Sequence, residues 1–154
     1  MGLNTLVARG FTLVEIMVVL TITAALAVVA TPSLLSYWDG ASLGAAAREL
    51  ATVMNLGRQL AISRKTTVCM DVTGTNVRLR LGGCNGTVWT GSVTDGAGTV
   101  RLSDPSTLAI SSNARVTFTA LGAATPSATY TVTHARTRAS RAVVVAASGR
   151  ISIE

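Results

Sequence analysis

The feature that most constrains this chain is an apolar run near its amino terminus, residues 11–35. The run holds twenty-five residues, of which Glu15 is the only ionisable one. As a helix with a rise of about 1.5 Å per residue it would be roughly 37 Å long, more than the hydrocarbon core of a bilayer at about 30 Å. The sequence therefore predicts a helix that crosses a membrane and carries one carboxylate.

The carboxylate of Glu15 is costly in such a helix. Insertion scales put a charged residue at a bilayer centre at about 2.5–3.5 kcal/mol, and lower near a helix end, where Glu15 lies. Two interpretations follow. Either water satisfies Glu15 at headgroup depth in a plain anchor, or Glu15 has a partner that the isolated chain does not supply.

Ten residues precede the apolar run, and they end in Arg9-Gly10. A secretory signal peptide would have its small-residue cleavage site after the apolar region, whereas here the small residue comes before it. Cleavage after Gly10 would leave the helix attached to the mature chain. The basic flank predicts that this end lies in the cytoplasm and that the chain from residue 36 onward lies beyond the inner membrane.

Residues 10–15, Gly-Phe-Thr-Leu-Val-Glu, resemble the cleavage and methylation signal of type IV prepilins and pseudopilins. The resemblance implies that a prepilin peptidase cuts between Gly10 and Phe11 and methylates the new amino group of Phe11. It also implies a partner for Glu15, namely the Phe11 amino group of a neighbouring subunit in a growing filament. A buried pair of this kind gives register more surely than stability.

The rest of the chain predicts an α+β domain. Apolar residues at helical spacing indicate an amphipathic helix over residues 36–65, after which the period changes to the alternation typical of strands. The predicted divisions are a leader at 1–10, a transmembrane or filament-core helix at 11–35, the amphipathic helix and an antiparallel β domain at 66–154. The expected fold is pilin-like, with one long amino-terminal α-helix packed on an antiparallel β-sheet.

A hairpin is specified in detail after the helix. Gly74-Thr75 has glycine in the first position, which suits a two-residue type II′ turn, and pairing Thr73 with Asn76 sets the register. Three apolar pairs then share one face: Val72 with Val77, Met70 with Leu79, and Val68 with Leu81.

The two cysteines are expected to form a disulfide. In this register Cys69 lies opposite Arg80, so Cys84 reaches it only if the chain turns back through Gly82-Gly83. The compartment beyond the inner membrane favours oxidation, and closing this loop would stabilise the fold by about 3 kcal/mol. Two buried free thiols are the alternative.

The second half of the chain extends the resemblance. Residues 115–122, Arg-Val-Thr-Phe-Thr-Ala-Leu-Gly, precede a strand, an arginine-rich stretch, three valines at 143–145 and a Gly149-Arg150 pair. This order is similar to the GspH/FimT family of minor pilins and type II secretion pseudopilins. The region at 86–112 is less distinctive and predicts one or two strands in a variable connection.

The residue set argues against catalytic and metal sites. His134 is the only histidine and is expected at the surface or at a sheet edge, so a nucleophile–histidine–carboxylate triad is not predicted. A zinc site lacks ligands because the cysteines are committed to each other. The sequence therefore predicts a protein that is not an enzyme and that needs no cofactor.

An arginine cluster is the candidate binding site in a chain with a net charge of +6. Its members, expected along one sheet edge, are Arg136, Arg138, Arg141 and Arg150. Guanidinium groups suit phosphate oxygens. The resemblance implies DNA binding through a Gly-Arg-x-Arg motif, but here Ser152 replaces the second arginine. Two interpretations remain: sequence-independent DNA binding, or a solvated loop that contacts a neighbouring subunit.

The resemblance implies two functions. The first is a minor type IV pilin that joins or primes a pilus-like filament, with capture of extracellular DNA for natural transformation as an added role. The second is a pseudopilin of a type II secretion system. Both would be single-pass proteins of the bacterial inner membrane, with a prepilin peptidase and other pilin or pseudopilin subunits as partners.

Overall fold

The computed structural model describes residues 11–102 and 106–154, so the leader at 1–10, including Gly10, lies outside the described residues. In this part of the chain one long helix, α1 (Leu13–Ser63), precedes ten short strands. The strands are β1 (Val68–Thr73), β2 (Asn76–Leu81), β3 (Thr87–Val88), β4 (Thr99–Arg101), β5 (Leu108–Ser112), β6 (Thr117–Phe118), β7 (Ala124–Thr125), β8 (Ala128–His134), β9 (Ser140–Val145) and β10 (Ile151–Ile153). The predicted α+β fold, a long helix with antiparallel sheets, is confirmed.

The chain divides into two compact units, the first ending at Trp38 and the second running Asp39–Glu154. In the first unit, large apolar side chains of α1 are exposed from Leu13 to Trp38. Over the described stretches 11–102 and 106–154, no helix has both the length and the apolar character needed to cross a membrane.

In the second unit, α1 packs an apolar stripe against the sheets. The fully buried members of this stripe are Leu43, Ala46, Ala47, Leu50, Val53, Met54 and Ala61. Their spacing of three and four residues is that of one helix face, while Arg48 and Gln59 on other faces are exposed. The amphipathic pattern read from the sequence therefore describes how this part of the helix packs.

The strands form two antiparallel sheets. Sheet A has the order β3-β2-β1-β6-β7, with β4 also paired to β2, and sheet B has the order β10-β9-β8-β5. The predicted hairpin register is confirmed along its whole length, from Val68 opposite Leu81 to Thr73 opposite Asn76. Gly74 has a φ of 62°, the left-handed value that the first residue of a type II′ turn requires.

The prediction of one or two strands at 86–112 is wrong in number, because the described part of this region holds three short strands, β3, β4 and β5. The first of them, β3, ends already at Val88. The chain instead closes a turn in which the N–H of Gly91 donates to Thr94 Oγ1 and the N–H of Thr94 donates to the Gly91 carbonyl. A threonine hydroxyl that bonds nearby backbone competes with the sheet ladder, which explains the early end of the strand.

Candidate functional site

The helix begins at the predicted processing site with a side-chain cap. Thr12 Oγ1 accepts a hydrogen bond from the backbone N–H of Glu15 at 3.2 Å, and Leu13 is the first helical residue. Glu15 thus lies at the third helical position of a Thr-x-x-Glu sequence, which is the spacing of a capping box, and its charge is at the positive end of the helix dipole. The hydropathy of this segment does not reveal the capping position of Glu15, whereas the Thr-x-x-Glu spacing does. Phe11, the residue expected to follow the cleavage, is 77% exposed.

Cys69 and Cys84 form a disulfide, with Cα atoms 4.9 Å apart. The bond joins β1 to the segment that follows β2. Gly82 and Gly83 have φ values of 84° and 99°, so both adopt the left-handed conformation that turns the chain back. Cys69 is fully buried in the second unit. The predicted disulfide is confirmed, and free thiols are excluded for this pair.

Arg136 is engaged in an ion pair rather than free at the surface. Its Nη2 donates hydrogen bonds to both carboxylate oxygens of Asp39, which lies in α1 at the start of the second unit. The side chain of Asp39 is only 15% exposed. Arg136 therefore ties the helix to the β8–β9 turn.

His134 is buried, so the expectation that it lies at the surface or a sheet edge is wrong. Its side chain is 3% exposed at the end of β8, an interior strand of sheet B that pairs with β5 on one side and β9 on the other. Its Nδ1 accepts a hydrogen bond from the N–H of Thr137, and its Nε2 lies 3.6 Å from Oδ1 of Asp39. The polar partner comes from the helix, which no local strand pattern can reveal. Within the described residues, no group of three His, Cys, Asp or Glu side chains could hold a metal ion.

The other three arginines of the cluster lie at opposite ends of β9. Arg138, with a φ of 59°, is in the β8–β9 turn, and Arg141 is close by on β9; both are exposed. Arg150 lies in the β9–β10 turn, beyond the far end of that strand. Because β9 has six residues, it separates its ends by roughly 20 Å. One sheet edge therefore does not bring all four arginines together.

A second group of arginines lies on sheet A, and the sequence pattern did not single it out. Its members, here called the sheet A arginine face, are Arg78 and Arg80 on β2, Arg101 on β4, and Arg115 before β6. Asp71 on β1 contacts Arg80 at 3.4 Å and Arg115 at 3.9 Å. Because these residues are spread between positions 71 and 115, only the strand pairing reveals that they are neighbours.

A long amino-terminal helix followed by two antiparallel sheets defines the class of pilin-like folds. The sequence-family model of the type II transport protein GspH matches residues 46–149. The sequence-family model of the prokaryotic N-terminal methylation motif matches residues 7–31. The protein belongs to the GspH family, whose members are membrane-anchored minor pilins and pseudopilins that assemble into filaments.

Solved structures of minor pilins and pseudopilins share this fold. The Pseudomonas aeruginosa type IV minor pilin FimU is 21% identical, with 77% of this chain and 92% of that chain covered and a TM-score of 0.57. The minor pseudopilin EpsH of the Vibrio cholerae type 2 secretion system is 11% identical, with coverage of 73% and 96% and a TM-score of 0.56. Escherichia coli GspH is 15% identical, with coverage of 74% and 88% and a TM-score of 0.57. A comparison with curated protein sequences gave no match.

Proposed function

We propose that the protein is a minor type IV pilin that joins, or primes the assembly of, a pilus-like filament. The observation that carries the proposal is the exposed apolar surface of α1 between Leu13 and Trp38. Such a surface needs a cover, which a bilayer supplies before assembly and neighbouring helices supply within a filament. In this proposal residues 11–35 anchor the protein in the inner membrane by a single pass, and the second unit lies in the periplasm or outside the cell.

The amino-terminal motif supplies the residues for processing and assembly. A prepilin peptidase removes the leader by cutting between Gly10 and Phe11, and methylates the amino group of Phe11. The carboxylate of Glu15 then pairs with the Phe11 amino group of a neighbouring subunit. The exposure of both side chains at the start of the helix supports this pairing.

Two substitutions at Glu15 separate its assembly role from its capping role. Gln keeps the hydrogen bonding of a capping box but has no charge, whereas Ala loses both. We expect E15Q and E15A to enter the membrane normally and to be depleted at least about tenfold from filaments, which corresponds to about 1.4 kcal/mol of lost subunit contact. Immunoblots of the membrane and sheared-filament fractions measure this. If E15Q assembled normally while E15A did not, Glu15 would be a capping residue and the subunit pairing would be wrong.

DNA binding without sequence preference is the added role that we propose for the β8–β9 turn. Arg138 and Arg141 are exposed there, and no ion pair engages either of them in the described part of the chain. Arg136 contributes less because Asp39 neutralises it, and Arg150 contributes from the other end of β9. The cluster includes no aromatic side chain on which a base could stack, which favours phosphate contacts.

Duplex binding measured over a series of salt concentrations tests the β8–β9 turn directly. Full-length R138Q/R141Q in detergent micelles is expected to bind a short mixed-sequence duplex more weakly than the unsubstituted chain. The slope of log affinity against log salt should become shallower by about 1 for each arginine removed. Fluorescence anisotropy of a labelled duplex measures both quantities. R48Q/R64Q, which removes two exposed arginines on α1 and just after it, is the charge-matched control. An unchanged slope in the double variant would rule out the turn as a DNA site.

A pseudopilin of a type II secretion system is the second candidate, favoured by the description of the matching family as a type II transport protein. Deletion of the gene discriminates between the two. Loss of surface pili supports the minor pilin, whereas loss of protein secretion with normal pili supports the pseudopilin.

A further inference from the structure

We infer that the sheet A arginine face is a second phosphate-binding surface, centred on Arg78 and Arg101. Its ligand is the phosphodiester backbone of a nucleic acid. The inference deepens the proposed DNA binding and rests on it, since it names a separate surface on the other sheet.

Strand register places the two arginines diagonally across β2 and β4. Arg78 lies opposite Thr99, and Asn76 lies opposite Arg101. Diagonal neighbours in an antiparallel pair are roughly 7–8 Å apart, within reach of each other's long side chains. Val77, between the two pairs, is fully buried. Because side chains alternate along a strand, Arg78 and Arg101 share the face opposite to the one that Val77 buries.

A buried threonine fixes the position of Arg78. The Nε of Arg78 donates a hydrogen bond of 3.0 Å to Thr99 Oγ1, and Thr99 is only 5% exposed. This bond uses Nε and leaves the terminal nitrogens of the guanidinium for a ligand. A guanidinium group that a strand residue already holds in place loses little conformational entropy when it binds a ligand. This geometry therefore favours phosphate binding.

A small polar cleft adjoins the guanidinium of Arg78. It has a volume of about 100 Å³ and is lined by Asp71, Thr73, Asn76 and Arg78. The Thr73 hydroxyl and the Asn76 amide can each donate a hydrogen bond to a phosphate oxygen. The cleft therefore combines one fixed positive charge with two neutral donors.

Asp71 is the acidic group that would oppose an anion in this cleft. Its two carboxylate oxygens face Arg80 at 3.4 Å and Arg115 at 3.9 Å. Arg80 also donates from Nη1 to the carbonyl of Gly86 at 3.3 Å, which fixes it beside Asp71. The charge of Asp71 is thus compensated by groups other than Arg78 and Arg101.

Asp95, in the loop before β4, is a second acid near this face. Its Oδ1 accepts hydrogen bonds from the N–H groups of Thr99 and Ala97 at 2.8 and 2.9 Å. The pKa of Asp95 is lowered, first by the bond from Thr99 and then by that from Ala97, with smaller contributions from the charges of Arg101 and Arg78. The carboxylate of Asp95 is therefore held by backbone N–H groups of the same loop.

Positive charge remains on the face after these contacts are counted. Glu49 lines a groove beside Arg101, but Arg48 lines the same groove and balances its charge. Among the described residues, the four arginines of the face therefore outnumber Asp71 and Asp95 by two. A nucleic-acid strand presents one phosphate every 3.4 Å or so along a duplex, so adjacent phosphates can reach two guanidinium groups on one sheet. This regular spacing of charge favours a phosphodiester chain over the scattered carboxylates of an acidic protein.

Full-length R78Q/R101Q in detergent micelles tests the inference. We expect weaker binding of the labelled duplex and a salt slope shallower by about 2, because each arginine contributes about 1. R101Q alone should make the slope shallower by about 1, and it keeps the inference testable if R78Q disturbs the sheet. T99V retains both charges and removes the bond that fixes Arg78, so the slope should be unchanged while the affinity falls. R64Q is the charge-matched control for R101Q, and R48Q/R64Q is the charge-matched control for the double variant.

The outcomes separate this inference from the proposed function. If the unsubstituted chain did not bind the duplex, both would be overturned. If R138Q/R141Q made the salt slope shallower while R101Q and R78Q/R101Q did not, the sheet A arginine face would be excluded as a DNA site. The β8–β9 turn would be retained as the DNA site. If R101Q and R78Q/R101Q made the salt slope shallower and R138Q/R141Q did not, the inference would be supported and the DNA site would lie on sheet A.

Discussion

Replacing Gly149 by alanine is expected to destabilise the second unit by about 2–5 kcal/mol. Gly149 has a φ of 79°, a conformation that costs a residue with a Cβ about 1–2 kcal/mol. A Cβ at this position would lie 1.9 Å from the carbonyl oxygen of Gly122, so the backbone of one turn would have to move. Overpacking of this kind adds about 1–3 kcal/mol. Urea denaturation of the full chain in detergent, followed by circular dichroism, measures the change.

Gly74 provides the matched control for this variant. It has a φ of 62°, but a Cβ there would have no atom within 4 Å. Alanine at Gly74 should therefore cost only the backbone strain, about 1–2 kcal/mol. If the two variants lost the same stability, the close approach of the β6–β7 and β9–β10 turns would contribute nothing.

Replacing both cysteines by alanine is expected to lower the free energy of unfolding by about 3 kcal/mol. Cys69 and Cys84 are 15 positions apart, and in the chain-entropy model a loop of that length is worth about this much. Two alanines leave no free thiol, so the variant cannot form new disulfides. Denaturation midpoints with and without a reducing agent give the comparison.

The reducing agent supplies an internal check on the cysteine variant. It should lower the stability of the unsubstituted chain nearly to that of C69A/C84A and leave the variant unaffected. An unsubstituted chain that kept its full stability after verified reduction would contradict the stabilising role of the disulfide.

Local patterns predicted the parts of the fold that depend on neighbouring residues. Two-residue alternation around Gly74-Thr75 gave the full β1–β2 register, because a slip of one residue would expose every apolar side chain of the hairpin. The helix followed from its apolar spacing, and the disulfide followed from the register together with Gly82-Gly83. Each of these features is decided within about twenty residues of sequence.

Contacts between distant parts of the chain could not be predicted from the sequence. His134 looked like an edge residue because its partner, Asp39, lies in α1 and reaches it only through packing. The four C-terminal arginines looked like one cluster because sequence distance does not reveal that β9 runs between them. The sequence pattern does not connect Arg78 with Arg101, because the pairing of β2 with β4 spans a long connection.

The ion pair at Asp39 limits how far the second unit can be shortened. Asp39 is the first residue of that unit, and its partners His134 and Arg136 come from near the other end of the chain. A soluble fragment that started after residue 39 would keep the β8–β9 turn but leave a buried imidazole without its carboxylate. The smallest stable fragment should therefore begin about one helical turn before Asp39, so that the aspartate is held within the helix.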